Sequence, residues 1–171
     1  MVVDLTRAGA LRQSIASAWA AEARPRCEVA IEDLPPDTNV VRAYYCDRDW
    51  RDVDFADPRS TFTGLVTFTN SGLRYYIAAF LTACLDIDER VRRGQPCFAG
   101  DVLACFDTFV CNPNASERVA GATPDQIGCI LGTAIFIRDY QGFYHPGFLD
   151  YQRKEWDEAI ARWSLTWAAQ S

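Results

Sequence analysis

Hydrophobic residues recur at helical spacing along most of the chain, and the clearest run lies near its middle. Thr69 and Ser71 precede this run, and either hydroxyl can cap the first turn of a helix. We therefore predict a central core helix over residues 68–85. Five apolar or aromatic positions stand at i, i+3, i+4, i+7 and i+11, the period of one helix face: Leu73, Tyr76, Ile77, Phe80 and Cys84.

Two further hydrophobic stripes flank the central one. Residues 6–22 carry apolar side chains at helical spacing, and Pro25 disfavours helix at the residue before it. Residues 98–109 repeat the stripe, which stops at Asn112-Pro113-Asn114. Both segments predict amphipathic helices that pack against the central one.

The last third of the chain begins with a helix-start signal, Thr123-Pro124-Asp125-Gln126. It combines an N-cap, a proline at the first helical position and a glutamine three residues after the cap. Residues 127–137 are apolar nearly all round and predict a buried helix, with a strand over the β-rich residues 133–137 as the alternative. The final segment, residues 148–168, closes the bundle with one apolar face: Leu149, Trp156, Ile160, Trp163 and Trp167.

Residues 27–57 interrupt the helical pattern. This segment holds nine acidic residues against three arginines and is broken by Pro35-Pro36. Asp37 can begin a short helix that runs to Tyr45, while the β-branched and aromatic residues from Val40 to Cys46 allow a minor strand instead. We expect an irregular acidic segment within an all-α, single-domain bundle of about five to six helices spanning residues 1–171.

Composition places the chain among globular proteins. Of its 171 residues, 49% are hydrophobic and 13% are aromatic, enough for a packed core. The formal net charge of -6 argues against a protein that binds nucleic acid through its phosphates. No apolar run reaches the roughly 18 residues of a membrane helix, and the first residues lack the pattern of a secretory signal. We expect a cytoplasmic protein without a nucleic-acid or membrane partner, and the oligomeric state stays open.

Residues with catalytic or metal-binding chemistry are few. The seven cysteines, at positions 27, 46, 84, 97, 105, 111 and 129, form no CxxC pair, and most are expected to be reduced, buried thiols. The single histidine, His145, precedes Pro146 and is expected to order an aromatic turn. The alternative is a Cys–His pair with Cys97 or Cys111. Because phosphate-binding and dinucleotide-binding glycine motifs are also missing, we predict no catalytic residue, no metal and no cofactor.

Two groups of polar and aromatic residues could carry function. Arg74, Tyr75 and Tyr76 could hold an anionic group through charge-assisted hydrogen bonds. We expect instead that Arg74 forms a structural ion pair. The acidic segment could instead be a solvated face or a docking surface, with tyrosine and tryptophan as anchors beside the carboxylates. Its candidate partner-binding residues are Tyr44, Tyr45, Asp47, Asp49, Trp50, Asp52 and Asp54.

The stretch from Phe68 to Leu81 resembles the signature of a bacterial domain family of unknown function, F-[LT]-T-P-E-A-[LF]-R-Y-Y-L-P-A-[FY]-L. Here it reads F-T-N-S-G-L-R-Y-Y-I-A-A-F-L, and Thr69 to Leu81 carry the match. The sequence departs from the family at Asn70-Ser71, where Pro-Glu is usual, and at Ala78, where proline is usual.

Other features follow in the same order as in that family. They are an early helix ending at Pro25, a Trp-containing turn at residues 49–53, the Thr123-Pro124-Asp125-Gln126 start and a final helix around Trp163. The resemblance implies a helical fold and a bacterial origin. It supplies no catalytic residues to carry over.

Three functions are compatible with these observations. The leading hypothesis is a non-enzymatic binding protein, an immunity or inhibitor protein that neutralises a basic bacterial toxin through its acidic surface. The second is an enzyme with an uncharacterised site around Arg74, Tyr75 and Tyr76. The third is a scaffold or interaction subunit. A basic protein partner, the cognate toxin, follows from the first hypothesis alone.

Overall fold

The computed structural model describes residues 4–26, 37–60, 64–86, 100–140 and 150–171, and these contain α-helices and short 3₁₀ helices without a β-strand. The prediction of an all-α bundle is confirmed. The 3₁₀ helices span Trp50–Asp52, Pro58–Ser60 and Gly64–Thr67. The α-helices are α1 (Leu5–Ala18), α2 (Asp37–Tyr45), α3 (Asn70–Leu85), α4 (Gly100–Cys111), α5 (Ala115–Arg118), α6 (Pro124–Asp139) and α7 (Asp150–Ala168).

Local capping signals set the helix starts. The Thr69 side chain accepts a hydrogen bond from the Gly72 N–H, so α3 begins at Asn70. Thr123 and Gln126 form the predicted capping box, each side chain accepting from the other residue's backbone N–H. α1 ends at Ala18 rather than at the predicted Glu22, because the following backbone hydrogen bonds change to i→i−3.

Both strand alternatives are wrong. Residues 40–45 belong to α2, where Val41, Tyr44 and Tyr45 are spaced as one helical face and are all buried. Residues 133–137 lie inside α6, which continues without a break from its capping box to Asp139. In both places a buried helical face outweighs the strand preference of β-branched and aromatic residues.

Helix α3 lies at the centre of the core. Eleven of its residues are buried, and it contacts α1, α4, α6 and the 3₁₀ helix at residues 50–52. Its partners therefore surround it on nearly every side, as expected for a helix without a continuous polar face.

Helix α6 packs between α1 and α7. A methyl group built on Gly132 would lie 2.8 Å from Leu11 Cδ2 of α1, and one on Gly128 would lie 3.4 Å from Trp167 Nε1 of α7. The two glycines thus allow the neighbouring helices to approach α6 closely. No helix in the described part of the chain has the length and apolarity needed to cross a membrane.

Buried tryptophans of α7 find hydrogen-bond acceptors on α4. The indole N–H of Trp156 donates to Asp107 Oδ1 at 2.6 Å, and that of Trp163 donates to the Val110 carbonyl at 3.2 Å. Each ring buries a large apolar surface while its polar edge stays satisfied, so α7 is held in one register on α4.

Candidate functional site

The predicted partner-binding residues lie on α2 and on the acidic turn, which we define as residues 46–60. Tyrosine hydroxyls hold this turn against the core. Tyr44 Oη donates to the Asp54 carbonyl at 2.8 Å and accepts from the Asp54 N–H at 2.9 Å. Tyr45 Oη donates to the Ser60 carbonyl at 2.6 Å. The turn is therefore fixed near its middle and at its C-terminal end by side chains of the helix that precedes it.

Tyr76 of α3 ties the beginning of the turn to the central helix. Its hydroxyl lies 2.6 Å from the carbonyl oxygen of Tyr45 and 2.8 Å from that of Arg48, so one proton is shared between two backbone acceptors. Burial raises the pKa of Tyr76 above its ordinary value, with a smaller contribution from Tyr75. The hydroxyl therefore stays protonated and remains a donor at neutral pH.

The aromatic part of the predicted docking surface requires a correction. Tyr44, Tyr45 and Trp50 are only 2%, 1% and 5% exposed, and all three belong to the hydrophobic core. Tyr45 packs edge-to-face against Phe68 and Tyr76, with ring centroids 4.8 and 4.7 Å apart. These rings cannot anchor a partner on the surface, because they are already packed within the chain and position the carboxylates instead.

The carboxylates of the acidic turn fall into two groups. Asp47, Asp52 and Asp54 are exposed, and within the described residues none of the three forms an ion pair. Asp49 pairs with Arg51 at 3.2 Å, and Asp57 pairs with Arg59. The turn contains five aspartates and three arginines, a formal charge of -2. The surface is thus less acidic than the carboxylates alone suggest.

Hydrogen bonds lower the pKa of both paired aspartates. For Asp57, the Arg59 guanidinium and backbone N–H lower the pKa to about 2. Partial burial alone would raise the pKa of Asp49, but the Arg51 N–H, the Tyr75 hydroxyl and the Arg51 guanidinium together hold it below its ordinary value. Both groups stay ionised through the physiological range.

Arginines order the turn as well as partly neutralising it. Arg48 donates to the Tyr44 carbonyl at 2.9 Å, and its guanidinium lies 4.2 Å from the centroid of the Tyr44 ring. Arg24, beyond the end of α1, donates to the Asp47 carbonyl. The sequence analysis missed the roles of Arg24 and Arg59. The alternation of Asp and Arg from residue 47 onward was the one local signal for such pairing.

The predicted anion site around Arg74, Tyr75 and Tyr76 is divided between two sides of α3. Arg74 Nε donates to Glu22 Oε1 at 2.8 Å, and its Nη1 donates to the Ala120 carbonyl at 3.2 Å. The hydroxyl of Tyr75 instead donates to Asp49 Oδ2 at 3.2 Å. Arg74 therefore forms the structural ion pair that was expected, and the three polar groups do not face one common ligand.

Glu22 joins Arg74 to two other helices. Gln126 Nε2 donates to Glu22 Oε2 at 3.0 Å and lies 3.3 Å from the Ala18 carbonyl. The Trp19 indole N–H donates to the Arg74 carbonyl at 2.7 Å. This cluster fastens the end of α1 to α3 and to the start of α6, which is a structural role.

Five of the seven cysteines lie within the described residues: Cys46, Cys84, Cys105, Cys111 and Cys129. Burial raises the pKa of Cys129 to about 11 and, together with Asp107, that of Cys111 to about 12. A thiol with so high a pKa is a poor nucleophile, which weakens the alternative pair of Cys111 with His145. Cys27, Cys97 and His145 lie outside the described residues. Within the described ranges, no cluster of His, Cys, Asp and Glu could hold a metal ion.

Comparison of the chain with protein-family models, with curated proteins and with solved structures finds no match. The resemblance of residues 69–81 to a bacterial domain family therefore stays a prediction.

Proposed function

We propose that this protein is a non-enzymatic binding protein, whose acidic turn docks on a basic surface of a protein partner. The observation that carries the proposal is the combination of three unpaired, exposed carboxylates with a backbone held by buried tyrosines. Asp47, Asp52 and Asp54 are displayed on a segment that Tyr44, Tyr45 and Tyr76 fasten to the core. A surface ordered before binding loses less conformational entropy in the complex.

The charge of this surface suits recognition by electrostatic complementarity. Exposed carboxylates attract a basic partner before contact, so they act mainly on the association rate and on the choice of partner. The overall formal charge of -6 adds to the same attraction. An immunity protein that neutralises a basic bacterial toxin is the role we propose for such a surface.

The partner itself is tested by co-expression. The tagged chain is produced together with each protein encoded beside its gene, purified by the tag and examined for a stoichiometric complex. We expect one basic neighbour to co-purify, and we expect the chain to rescue growth when that neighbour is toxic. If every basic neighbour is produced and none forms a complex, the immunity role is rejected.

The surface is tested by a charge-neutralised variant, Asp47→Asn combined with Asp52→Asn and Asp54→Asn. Asparagine keeps the side-chain size, and at residue 47 it tolerates the positive φ of 62°. We expect the association rate constant with the captured partner to fall about tenfold at low salt, and its salt dependence to become shallower.

A matched control neutralises three exposed carboxylates elsewhere, in the triple variant Glu117→Gln, Glu155→Gln and Glu158→Gln. It changes the net charge by the same amount, so it separates the local surface from the overall charge. Equal slowing by both triple variants would reject the acidic turn as the docking surface while leaving the complex itself intact.

A further inference from the structure

A cavity of about 330 Å³ lies between α1, the acidic turn and the C-terminal half of α3. Its volume falls at the lower end of the range of small-molecule sites. The room exists because α3 presents two alanines there, Ala79 and Ala83, opposite the larger side chains of Val53 and Phe55. The cavity shares the acidic turn with the exposed carboxylates, but none of those three carboxylates lines it, and the inference does not depend on the function proposed for them.

The walls of the cavity are apolar and aromatic. Trp50 lines it together with Phe55, whose ring packs edge-to-face against Phe80 with centroids 4.9 Å apart. The indole N–H of Trp50 is buried and has no hydrogen-bond acceptor in the described part of the chain. A buried donor without an acceptor is uncommon in a folded protein. Because the Trp50 ring lines the cavity, a bound ligand should change the surroundings of this N–H.

Groups of both charges stand at the rim. Arg12 of α1 and Arg51 of the turn contribute guanidiniums, and Asp86 at the end of α3 contributes a carboxylate. Arg51 lies 4.5 Å from the centroid of the Trp50 ring, which keeps its charge beside the cavity. The rim therefore offers both a cation and an anion to a ligand.

The ion pair at the rim does not block entry of a ligand. Arg12 Nη1 lies 3.3 Å from Asp86 Oδ1, and the two side chains are 28% and 46% exposed. A ligand that offers a carboxylate to Arg12 and a cation to Asp86 would replace this half-buried pair with two pairs of the same kind, so neither charge is left without a counterion.

We propose that this cavity binds a free α-amino acid with an apolar side chain. The ligand carboxylate is received by Arg12 and Arg51, its ammonium group by Asp86, and its side chain lies against the apolar walls. A zwitterion suits a rim that carries both positive and negative charge, whereas a doubly charged anion such as phosphate would be repelled by the Asp86 carboxylate.

The test is calorimetric titration of the full chain with three probes, namely phenylalanine, 3-phenylpropanoate without the amine, and 2-phenylethylamine without the carboxylate. The indole N–H resonance of Trp50, assigned with Trp50→Phe, is followed by NMR in parallel. We expect phenylalanine to bind and to shift this resonance, and each of the other probes to bind about tenfold more weakly. Absence of binding by phenylalanine up to about 10 mM, or equal binding of all three probes, overturns the proposal.

Variants assign each contact. Arg51→Gln should weaken phenylalanine and the acid probe without affecting the amine probe, and Asp86→Asn should weaken phenylalanine and the amine probe without affecting the acid. Ala83→Leu, which fills the cavity from α3, should abolish binding, while Ala161→Leu on the exposed face of α7 should not. Retention of full phenylalanine binding by a folded Ala83→Leu variant also overturns the proposal.

Discussion

The two sides of helix α3 are joined to the rest of the protein by different kinds of contact. On one side, which we call the turn side, α2 and the acidic turn are attached through tyrosine hydroxyls that bond to backbone carbonyls. On the other, which we call the packing side, α1, α6 and α7 meet mainly through buried apolar side chains and two glycines, and the hydrogen-bonded cluster around Glu22 is confined to the end of α1. Hydrogen bonds are directional, whereas apolar burial contributes mainly in proportion to area.

Because of this difference, substitutions on the turn side should mainly change where the binding carboxylates lie, and substitutions on the packing side should mainly change the stability of the fold. On the turn side, the loss of one hydroxyl should displace a short segment that carries carboxylates. On the packing side, the loss of one buried group should lower the free energy of unfolding without moving any candidate binding residue. Three substitutions and one change of pH distinguish the two sides.

The largest expected effect belongs to the packing side. Ile130 of α6 is fully buried, so Ile130→Ala removes apolar contacts and leaves a cavity. We expect the free energy of unfolding in urea to fall by about 2–5 kcal/mol. The folded fraction should still bind its partner at the wild-type rate. The control Leu165→Ala, at a side chain that is 74% exposed, should change stability by less than about 0.5 kcal/mol.

Tyr76→Phe is the corresponding change on the turn side. It keeps the buried ring but removes the donor that the carbonyls of Tyr45 and Arg48 share. The Arg48 carbonyl then loses this donor and the Tyr45 carbonyl keeps only the Arg48 N–H, so we expect a loss of about 1–3 kcal/mol in the free energy of unfolding. Backbone amide resonances of the acidic turn should shift more than those of α6. A uniform response in both regions would contradict the division of roles.

Alkaline pH should lower stability through the buried tyrosines of the turn side, in addition to the buried thiols of Cys111 and Cys129, whose pKa is also raised. Burial raises the pKa of Tyr45 and Tyr76, so the unfolded chain releases these protons first as the pH rises. The stability they provide is complete below about pH 10 and falls, by about 1.4 kcal/mol per pH unit for each tyrosine, until the pKa of the folded state is reached.

Denaturant unfolding between about pH 9 and 11 measures this slope. Tyr76→Phe should reduce the slope by the contribution of one tyrosine. Tyr140→Phe, at a ring that packs against Phe136 on the packing side, is the matched control. Equal slopes in wild type and Tyr76→Phe would show that Tyr76 is not one of the titrating groups.

The smallest expected effect is a gain in stability. Thr133 of α6 is fully buried, and within the described residues its hydroxyl has no hydrogen-bond partner. Thr133→Val replaces that hydroxyl with a methyl group of similar size and removes the penalty for burying an unpaired polar group. We expect a gain of about 1 kcal/mol in the free energy of unfolding. Loss of stability in this variant would indicate that the hydroxyl is satisfied in solution.

The positions of the helices were predictable because their signals are local. Thr69 caps α3, and the Thr123–Gln126 capping box begins α6, each within one helical turn of the residues it orders. The apolar periodicity of α3 and α7 is equally local. The strand alternatives failed where β-branched residues lie on a helical face that the rest of the fold buries, as Val41 does.

The candidate site was predictable only in part. Asp47, Asp52 and Asp54 are exposed as their polar neighbours indicate, but the burial of Tyr44, Tyr45 and Trp50 depends on their packing within the folded core. The pairing of Arg74 with Glu22 joins residues that are 52 positions apart. No local pattern encodes such a contact, and the same holds for the cavity between Ala83 and Phe55.

The end of α1 has a consequence for the order of events during synthesis. The Trp19 indole bonds to Arg74, and the Ala18 carbonyl and Glu22 carboxylate both receive Gln126, which is encoded more than a hundred residues later. A ribosome therefore releases α1 long before its final hydrogen-bond donor has been translated. Helix α1 should therefore complete its docking only after α6 has emerged, and until then the indole and carboxylate that follow it remain accessible to chaperones.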